Sequence, residues 1–430
     1  MQALYKIPLP LVARNETSRV RAAITAVFAM DGFVFASWAV RIPAVKAAVG
    51  ASPAALGIAL LGVSAGAIIT MALIGTLCRR FGSARLVAVC GVWVSLALLL
   101  PALARSAVAL GLGLAVFGIG YGGLNVAMNS LAVDLVAVLR RPVMPSFHAA
   151  WSLGGLAGAA LGGLAAPALT PLAHFSLVCI LGLALTAACG SIVLTSPLPA
   201  AQADDATPAP GGGGSGGFAG TGETGAKEEV PNESAPSPSR PAGHPGVWRT
   251  VLLLGVIALC SAYGEGAVSD WGALHLREDL GAAAGLAAAG YAAFALAEAC
   301  GRLAGSALLA RLGQTRVLVY GGVATFVGMI AAALSPVLPL ALVGFALAGL
   351  GVANAFPTAM ARVGILGGAQ GVATASTLGY AGFLLGPPTI GFLASALSLR
   401  VALTTVSLLA VVAIVLARAA SRPPRARGSA

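Results

Sequence analysis

Apolar and polar positions in this chain neither alternate nor recur every three or four residues; they come in blocks. Apolar runs of about 20 residues, long enough to cross a hydrocarbon core about 30 Å thick as helices, are separated by short polar punctuation. The blocks predict membrane-spanning helices near residues 22–43, 53–77, 85–104, 107–137, 145–167 and 173–195, and again near 250–273, 285–310, 316–334, 337–361, 371–396 and 400–418. A membrane β-barrel would show short segments of alternating hydrophobicity instead. The expected fold is therefore an all-α polytopic membrane protein with 12 transmembrane helices in two six-helix bundles. Several spans exceed a straight crossing, which implies tilt or extension into the loops.

The block pattern fails once, between the sixth and seventh spans. Residues 197–247 hold the run Gly211–Gly217, repeated prolines and six acidic residues against Lys227 and Arg240. Such a composition buries too little apolar surface to offset its ordering entropy. The expected organisation is an N-terminal bundle over 1–196, a flexible cytoplasmic linker over 197–247 and a C-terminal bundle over 248–430.

The two sets of spans share a basic turn. GTLCRRFGSAR (Gly75–Arg85) overlays SALLARLGQTR (Ser306–Arg316), with Leu77 on Leu308, Arg80 on Arg311, Gly82 on Gly313 and Arg85 on Arg316. The same offset carries Gly91 onto Gly322, Gly118 onto Gly349, Gly120 onto Gly351 and Gly155 onto Gly386. A register held this far indicates two copies of one architecture, a parallel repeat of membrane bundles.

Composition narrows the class further. Apolar residues make up 58% of the 430-residue chain and charged ones 9%, with a mean hydropathy of +0.93. A soluble protein of this length carries far more surface charge. The net charge of +11 does not point to nucleic acid, because the basic residues gather at alternate ends of the spans. Lys6, Arg14, Arg19, Arg21, Arg79, Arg80, Arg85, Arg140, Arg141, Arg311, Arg316, Arg362 and the arginines after Arg418 fall on one side; Arg41, Lys46, Arg105, Arg277 and Arg400 fall on the other. That asymmetry predicts both termini in the cytoplasm. The first apolar run follows a basic segment without a convincing cleavage site and is expected to remain as an anchor. The six cysteines lack metal-ligand or disulfide spacing and read as small buried hydrophobes.

The spans, the repeat and the G-x-L-x-x-R-x-G-x-x-R turn after the second span together resemble the major facilitator superfamily. Arg79 stands where that family's turn usually has an acidic residue. Three stretches, Phe35–Ser52 (FASWAVRIPAVKAAVGAS), Gly120–Asp134 (GYGGLNVAMNSLAVD) and Arg141–Gly155 (RPVMPSFHAAWSLGG), are similar to its MosC/YbjJ-type branch. The resemblance implies a bacterial inner-membrane permease. The branch name is associated with the inositol-derived solute rhizopine.

Charges within hydrocarbon are rare and default to functional candidates. Asp31 lies near the middle of the first span. Glu298 and Arg302 are four apart in the eighth span and share a helix face; Glu265 lies in the outer half of the seventh. Asn125 and Asn129 follow Tyr121 at helical spacing in the fourth span. His148 begins the fifth, whose Gly154, Gly158 and Gly162 form a flat face for close helix approach. Gly382, Gly386, Pro387, Pro388 and Gly391 are expected to interrupt the eleventh span at the corresponding place, marking a cavity. Trp38, Trp151 and Trp271 read as interfacial anchors, with stacking on a sugar-like ring as the alternative, strongest for Trp151; Tyr380 is a candidate on the same two grounds, and Asp270 reads as a solvated rim charge. Gly75, Arg80, Gly82, Arg85, Arg311, Gly313 and Arg316 form the candidate gating loops. The GVSAG run at Gly62–Gly66 and the pattern of Gly118, Gly120 and Gly123 lack the strand context of the soluble-enzyme motifs they match.

No metal site, cofactor, ATP-binding motif or nucleophile–base constellation emerges, so the chain is not read as an enzyme. The expectation is a monomeric secondary transporter in the lipid bilayer, coupled to protons and moving a small polar solute. Export of drugs or metabolites is the first alternative, and a non-transporting membrane sensor the second.

Overall fold

Prolines and small polar residues set where the apolar runs begin, bend and stop. In the computed structural model, residues 11–139, 143–196 and 245–421 are described; nearly all of the linker, with Lys6, Arg140, Arg141 and the arginines after Arg418, lies outside them. Fourteen helices make up the described chain: α1 (Leu11–Ala39), α2 (Ile42–Val49), α3 (Pro53–Phe81), α4 (Ser83–Ala97), α5 (Leu100–Leu103), α6 (Ala107–Leu139), α7 (Met144–Ala165), α8 (Pro171–Thr195), α9 (Pro245–Glu278), α10 (Ala284–Leu312), α11 (Gln314–Leu334), α12 (Leu338–Val352), α13 (Ala355–Ala396) and α14 (Leu399–Ala420). α3 and α8 open alike. Ser52 and Thr170 accept hydrogen bonds from Ala55 N and Ala173 N, with Pro53 and Pro171 as first helical residues. The side-chain oxygen satisfies one orphan amide, and proline sits where no amide partner is needed.

Three expected spans are broken rather than continuous. The breaks after Ala39, Ala97 and Val352 come four or five residues ahead of a proline (Pro43, Pro101 and Pro357), which has no amide for the carbonyl four residues back and whose ring clashes with it. The eleventh span runs the other way. It continues through Pro387 and Pro388 to Ala396, and the non-helical residue in α13 is Gly368 (φ 55°, ψ −150°). The expected interruption at 382–391 is thus replaced by a bend at Gly368. A proline at 387 leaves the Phe383 carbonyl without its helical donor, and Ser64 Oγ of α3 donates to that carbonyl at 3.4 Å. The helix survives because a neighbour supplies the missing bond.

The repeat is visible in the backbone. Gly82 (φ 87°, ψ 139°), between α3 and α4, and Gly313 (φ 77°, ψ 160°), between α10 and α11, hold matching left-handed conformations. A side chain at either position would be strained.

Elsewhere glycine serves contact. A Cβ on Gly154 or Gly158 of α7 would fall on the carbonyl oxygens of Ala29 or Phe33 of α1, and one on Gly32 would fall on that of Trp151. The expected flat face of the fifth span is therefore the α1–α7 contact. Gly62 and Gly66 of α3 meet the backbone at Gly111 and Ala115 of α6, while Gly118 meets Val63. The two enzyme-like glycine patterns are helix-packing surfaces. Gly382 likewise meets Leu259 and Tyr263 of α9.

Ten helical stretches among the described residues are long and apolar enough to cross a membrane. The helices at the expected spans 145–167 and 371–396 are not among them, their apolar residues diluted by glycine and polar side chains. Leu73, Val108, Leu164, Leu303 and Ile365 each expose more than half of their surface, as lipid-facing residues do where no water competes. This is a multi-pass membrane protein. Trp38 and Trp271, expected at the membrane interface, are instead buried in the protein core. Five cysteines are buried as expected, but Cys300 is exposed.

Helices α1–α8 and α9–α14 meet mainly through α3 with α13 and α7 with α10. Gly57 packs on Pro387, Pro388 and Gly391, and Gly163 on Gly285 and Ala288. Lys46 Nζ pairs with Glu278 Oε1 at 2.5 Å, and Ala54 N donates to Ser395 Oγ at 2.9 Å. These contacts lie at the end of the bundle away from the Gly82 and Gly313 turns, so that end is closed. Beside it, buried His275 bonds Asp279 Oδ2 at 2.7 Å and the Ala332 carbonyl at 3.1 Å, and Arg400 donates to the Asp279 carbonyl at 2.7 Å. Lys46→Ala is expected to loosen the closed end. Because Glu278 is partly exposed, the pair contributes about 0.2–1 kcal/mol, so labelling of a cysteine placed at Ala54 should quicken by about 1.5- to fivefold. A rate unchanged from wild type would count against the latch.

Candidate functional site

Close approach of α1 and α7 places the first group. Asp31 is fully buried on α1, and Trp151 Nε1 of α7 donates to its Oδ2 at 3.0 Å. The glycine contacts on either side, at Gly32 and Gly154, bring the indole within reach. Asp31 Oδ1 has no hydrogen-bond partner among the described residues. One turn away, Phe28 stacks on Phe147 at 5.5 Å, and the exposed His148 ring meets Phe28 edge-on at 5.5 Å.

The second group spans α9 and α10. Arg302 Nη2 lies 2.6 Å from Glu298 Oε1 and 3.5 Å from Glu265 Oε2. The pair expected within one helix is thus a triad, with Glu265 reaching in from α9. Glu298 is nearly enclosed, whereas Glu265 and Arg302 keep part of their surface open, at 22% and 32% of their side chains. Two carboxylates sharing one guanidinium give the triad a net charge of −1 when both are ionised. Addition of one proton neutralises it and frees part of the guanidinium fork.

Tyr121 of α6 lies near both groups. It stacks on Phe35 at 5.4 Å and Phe117 at 6.0 Å, within electrostatic reach of Asp31, Glu265, Tyr291 and Tyr380. His148 is within similar reach of Arg302. Residues from α1, α6, α7, α9, α10 and α13 therefore converge on one interior region. Tyr380 is 43% exposed and Asn125 half-buried. Asn129 spends its amide on the Asn125 carbonyl at 2.8 Å, one turn back on its own helix.

The candidate gating loops lie apart from this region. Arg80, Arg85, Arg311 and Arg316 are exposed. Arg79 donates to Thr76 at 3.0 Å, Arg85 reaches the Phe81 carbonyl at 3.5 Å, and Arg80 sits 5.3 Å from the centre of the Phe81 ring. Asp270, expected at a solvated rim, is half-buried, with Ser269 Oγ 3.5 Å away.

Sequence reasoning passed over Tyr291. It is buried among Ala36, Val40, Ala159 and Ala288, at the meeting of α1, α7 and α10. Its spacing of seven from Glu298 puts it on the same face of α10, a signal present in the sequence.

The profile of the Major Facilitator Superfamily matches residues 22–378 and 254–430. An uncharacterized MFS-type transporter of Yersinia pestis is 32% identical over 399 residues, covering 92% of this chain and 94% of that protein. Membrane protein MosC of Rhizobium meliloti is 28% identical over 405 residues, covering 93% of this chain and 89% of its own. Among solved structures, a bacterial homolog of the human lysosomal transporter Spinster, inward-facing and unoccupied, aligns with a TM-score of 0.72 at 16% identity, over 95% of this chain and 97% of that one. The chain belongs to the Major Facilitator Superfamily of membrane transporters, and its resemblance to MosC holds over nearly its whole length.

Proposed function

We propose that this protein is a secondary active transporter that moves a small polar organic solute, of sugar or polyol character, by alternating access coupled to protons. The observation that carries the reading is the interior convergence of Asp31 with Trp151 and of Arg302 with Glu265 and Glu298. A membrane protein keeps such groups off its lipid face, where each is costly. Carboxylates, a guanidinium, amides and phenols supply donors and acceptors for hydroxyl groups. Protonation of a carboxylate changes how many of those donors are free.

In this reading residues 1–196 and 248–430 are the two rocking bundles, joined by the linker 197–247, and the protein works as a monomer. Both termini lie in the cytoplasm of a bacterial cell, in the inner membrane. The closed end with Lys46–Glu278 then faces outward, and the Gly82 and Gly313 turns face the cytoplasm as gating loops.

Reconstituted protein should accumulate labelled polyols or sugars from a mixed metabolite pool when a pH gradient is imposed, and lose the accumulation when the gradient is collapsed. No gradient-dependent uptake, with export of amphipathic compounds instead, would overturn the reading. Arg302→Ala removes the cation between two carboxylates. The pH profile of transport is expected to move by about 1–3 units, the size of a lost charge partner. An unaltered profile would sever the triad from coupling.

A further inference from the structure

One cation in the closed end is buried away from any carboxylate among the described residues. Arg41 occupies the elbow between α1 and α2, where the sequence pattern suggested a loop cation, yet it is 3% exposed. Its Nε donates to His174 Nδ1 of α8 at 3.1 Å, and Nη1 reaches the Ala166 carbonyl at 3.4 Å. Nη2 is buried without a partner. Among the described residues, Arg41 makes no ion pair with any carboxylate.

Two further donors stand beside it. Because His174 Nδ1 accepts from Arg41, the neutral ring carries its proton on Nε2. Ser37 lies four positions before Arg41, in the last turn of α1; its Oγ is fully buried and has no partner among the described residues. Gly162 of α7 packs close to the Cε1 edge of His174, and a Cβ there would come within 3.2 Å of Cε1 and 2.7 Å of Val40 Cγ2. The Phe175 ring lies 5.7 Å from that of His174 and 6.3 Å from that of Trp38.

The cluster thus holds a formal positive charge and several hydrogen-bond donors, with neutral acceptors only. Burying an uncompensated guanidinium is expensive. Water would satisfy the free donors but leave the charge unbalanced; a small anion does both. We propose that Arg41, Ser37 and His174 form a binding site for a small monovalent anion of chloride or formate size, separate from the interior solute region. An anion there would fix the α1–α2 elbow, which carries Lys46 to Glu278.

The test uses the purified full-length protein in detergent, with its melting temperature followed as sodium chloride, sodium formate or sodium gluconate is titrated at constant ionic strength. Chloride and formate should raise it saturably, and gluconate, too large to enter, should not. Arg41→Gln should remove the difference between anions, and Ser37→Ala should raise the half-saturating chloride concentration severalfold. Identical curves in chloride and gluconate would mean water alone fills the site and would overturn the proposal, as would an unchanged chloride response in Arg41→Gln. If that variant does not fold, bromide-soaked crystals of the wild type decide. An anomalous peak within hydrogen-bond distance of Arg41 supports the site, and its absence at saturating bromide sinks it.

Discussion

Asp31→Asn is expected to abolish accumulation against a gradient while leaving downhill exchange of solute measurable. Asparagine keeps the shape of the side chain, and its oxygen can still accept the hydrogen bond that Trp151 gives to Asp31 Oδ2 at 3.0 Å. What it loses is the capacity to take up and release a proton. Coupling and folding are thereby separated, because a merely structural Asp31 would tolerate the exchange. The measurement is uptake into proteoliposomes with an imposed pH gradient, beside counterflow with no gradient. Full gradient-driven accumulation in the variant would move the coupling role to Glu265 and Glu298, whose shared arginine is the alternative proton-linked switch.

Gly154→Val should damage the protein more broadly. A Cβ at this position falls within the van der Waals shell of the Ala29 carbonyl oxygen, which is backbone of α1 and cannot swing aside. Separation of α1 from α7 is the only relief, and it withdraws Trp151 from Asp31. Overpacking of this kind costs about 1–3 kcal/mol or more, so the melting temperature should fall by several degrees and transport should fall with it. Gly75→Ala is the control: nothing lies within 4 Å of the added methyl, and stability should hold. Equal melting temperatures for Gly154→Val and wild type would mean that Gly154 is not pressed against the α1 backbone.

How far each feature was legible depends on how local its cause is. The basic turns were readable because Gly82 and Gly313 need a left-handed backbone wherever they sit. The helix breaks were less so. Pro43, Pro101 and Pro357 stopped helices as their chemistry requires, but Pro387 and Pro388 did not, because Ser64 comes from another helix to bond the freed carbonyl. The tryptophans misled for a related reason. Trp38 and Trp271 have the amphipathic character of interfacial anchors, yet the neighbouring helices enclose them completely.

The sequence by itself determined the membrane class, the repeat and which charges lie within apolar runs, since blocks of hydrophobicity and turn residues act over a few positions. Only the tertiary structure decided the partners: Trp151 for Asp31, Glu265 for the Glu298–Arg302 pair, His174 for the buried Arg41. Those pairings depend on how each helix is rotated against the next. Rotation is fixed by which smooth glycine faces meet which backbones, across separations in the chain that no local pattern records.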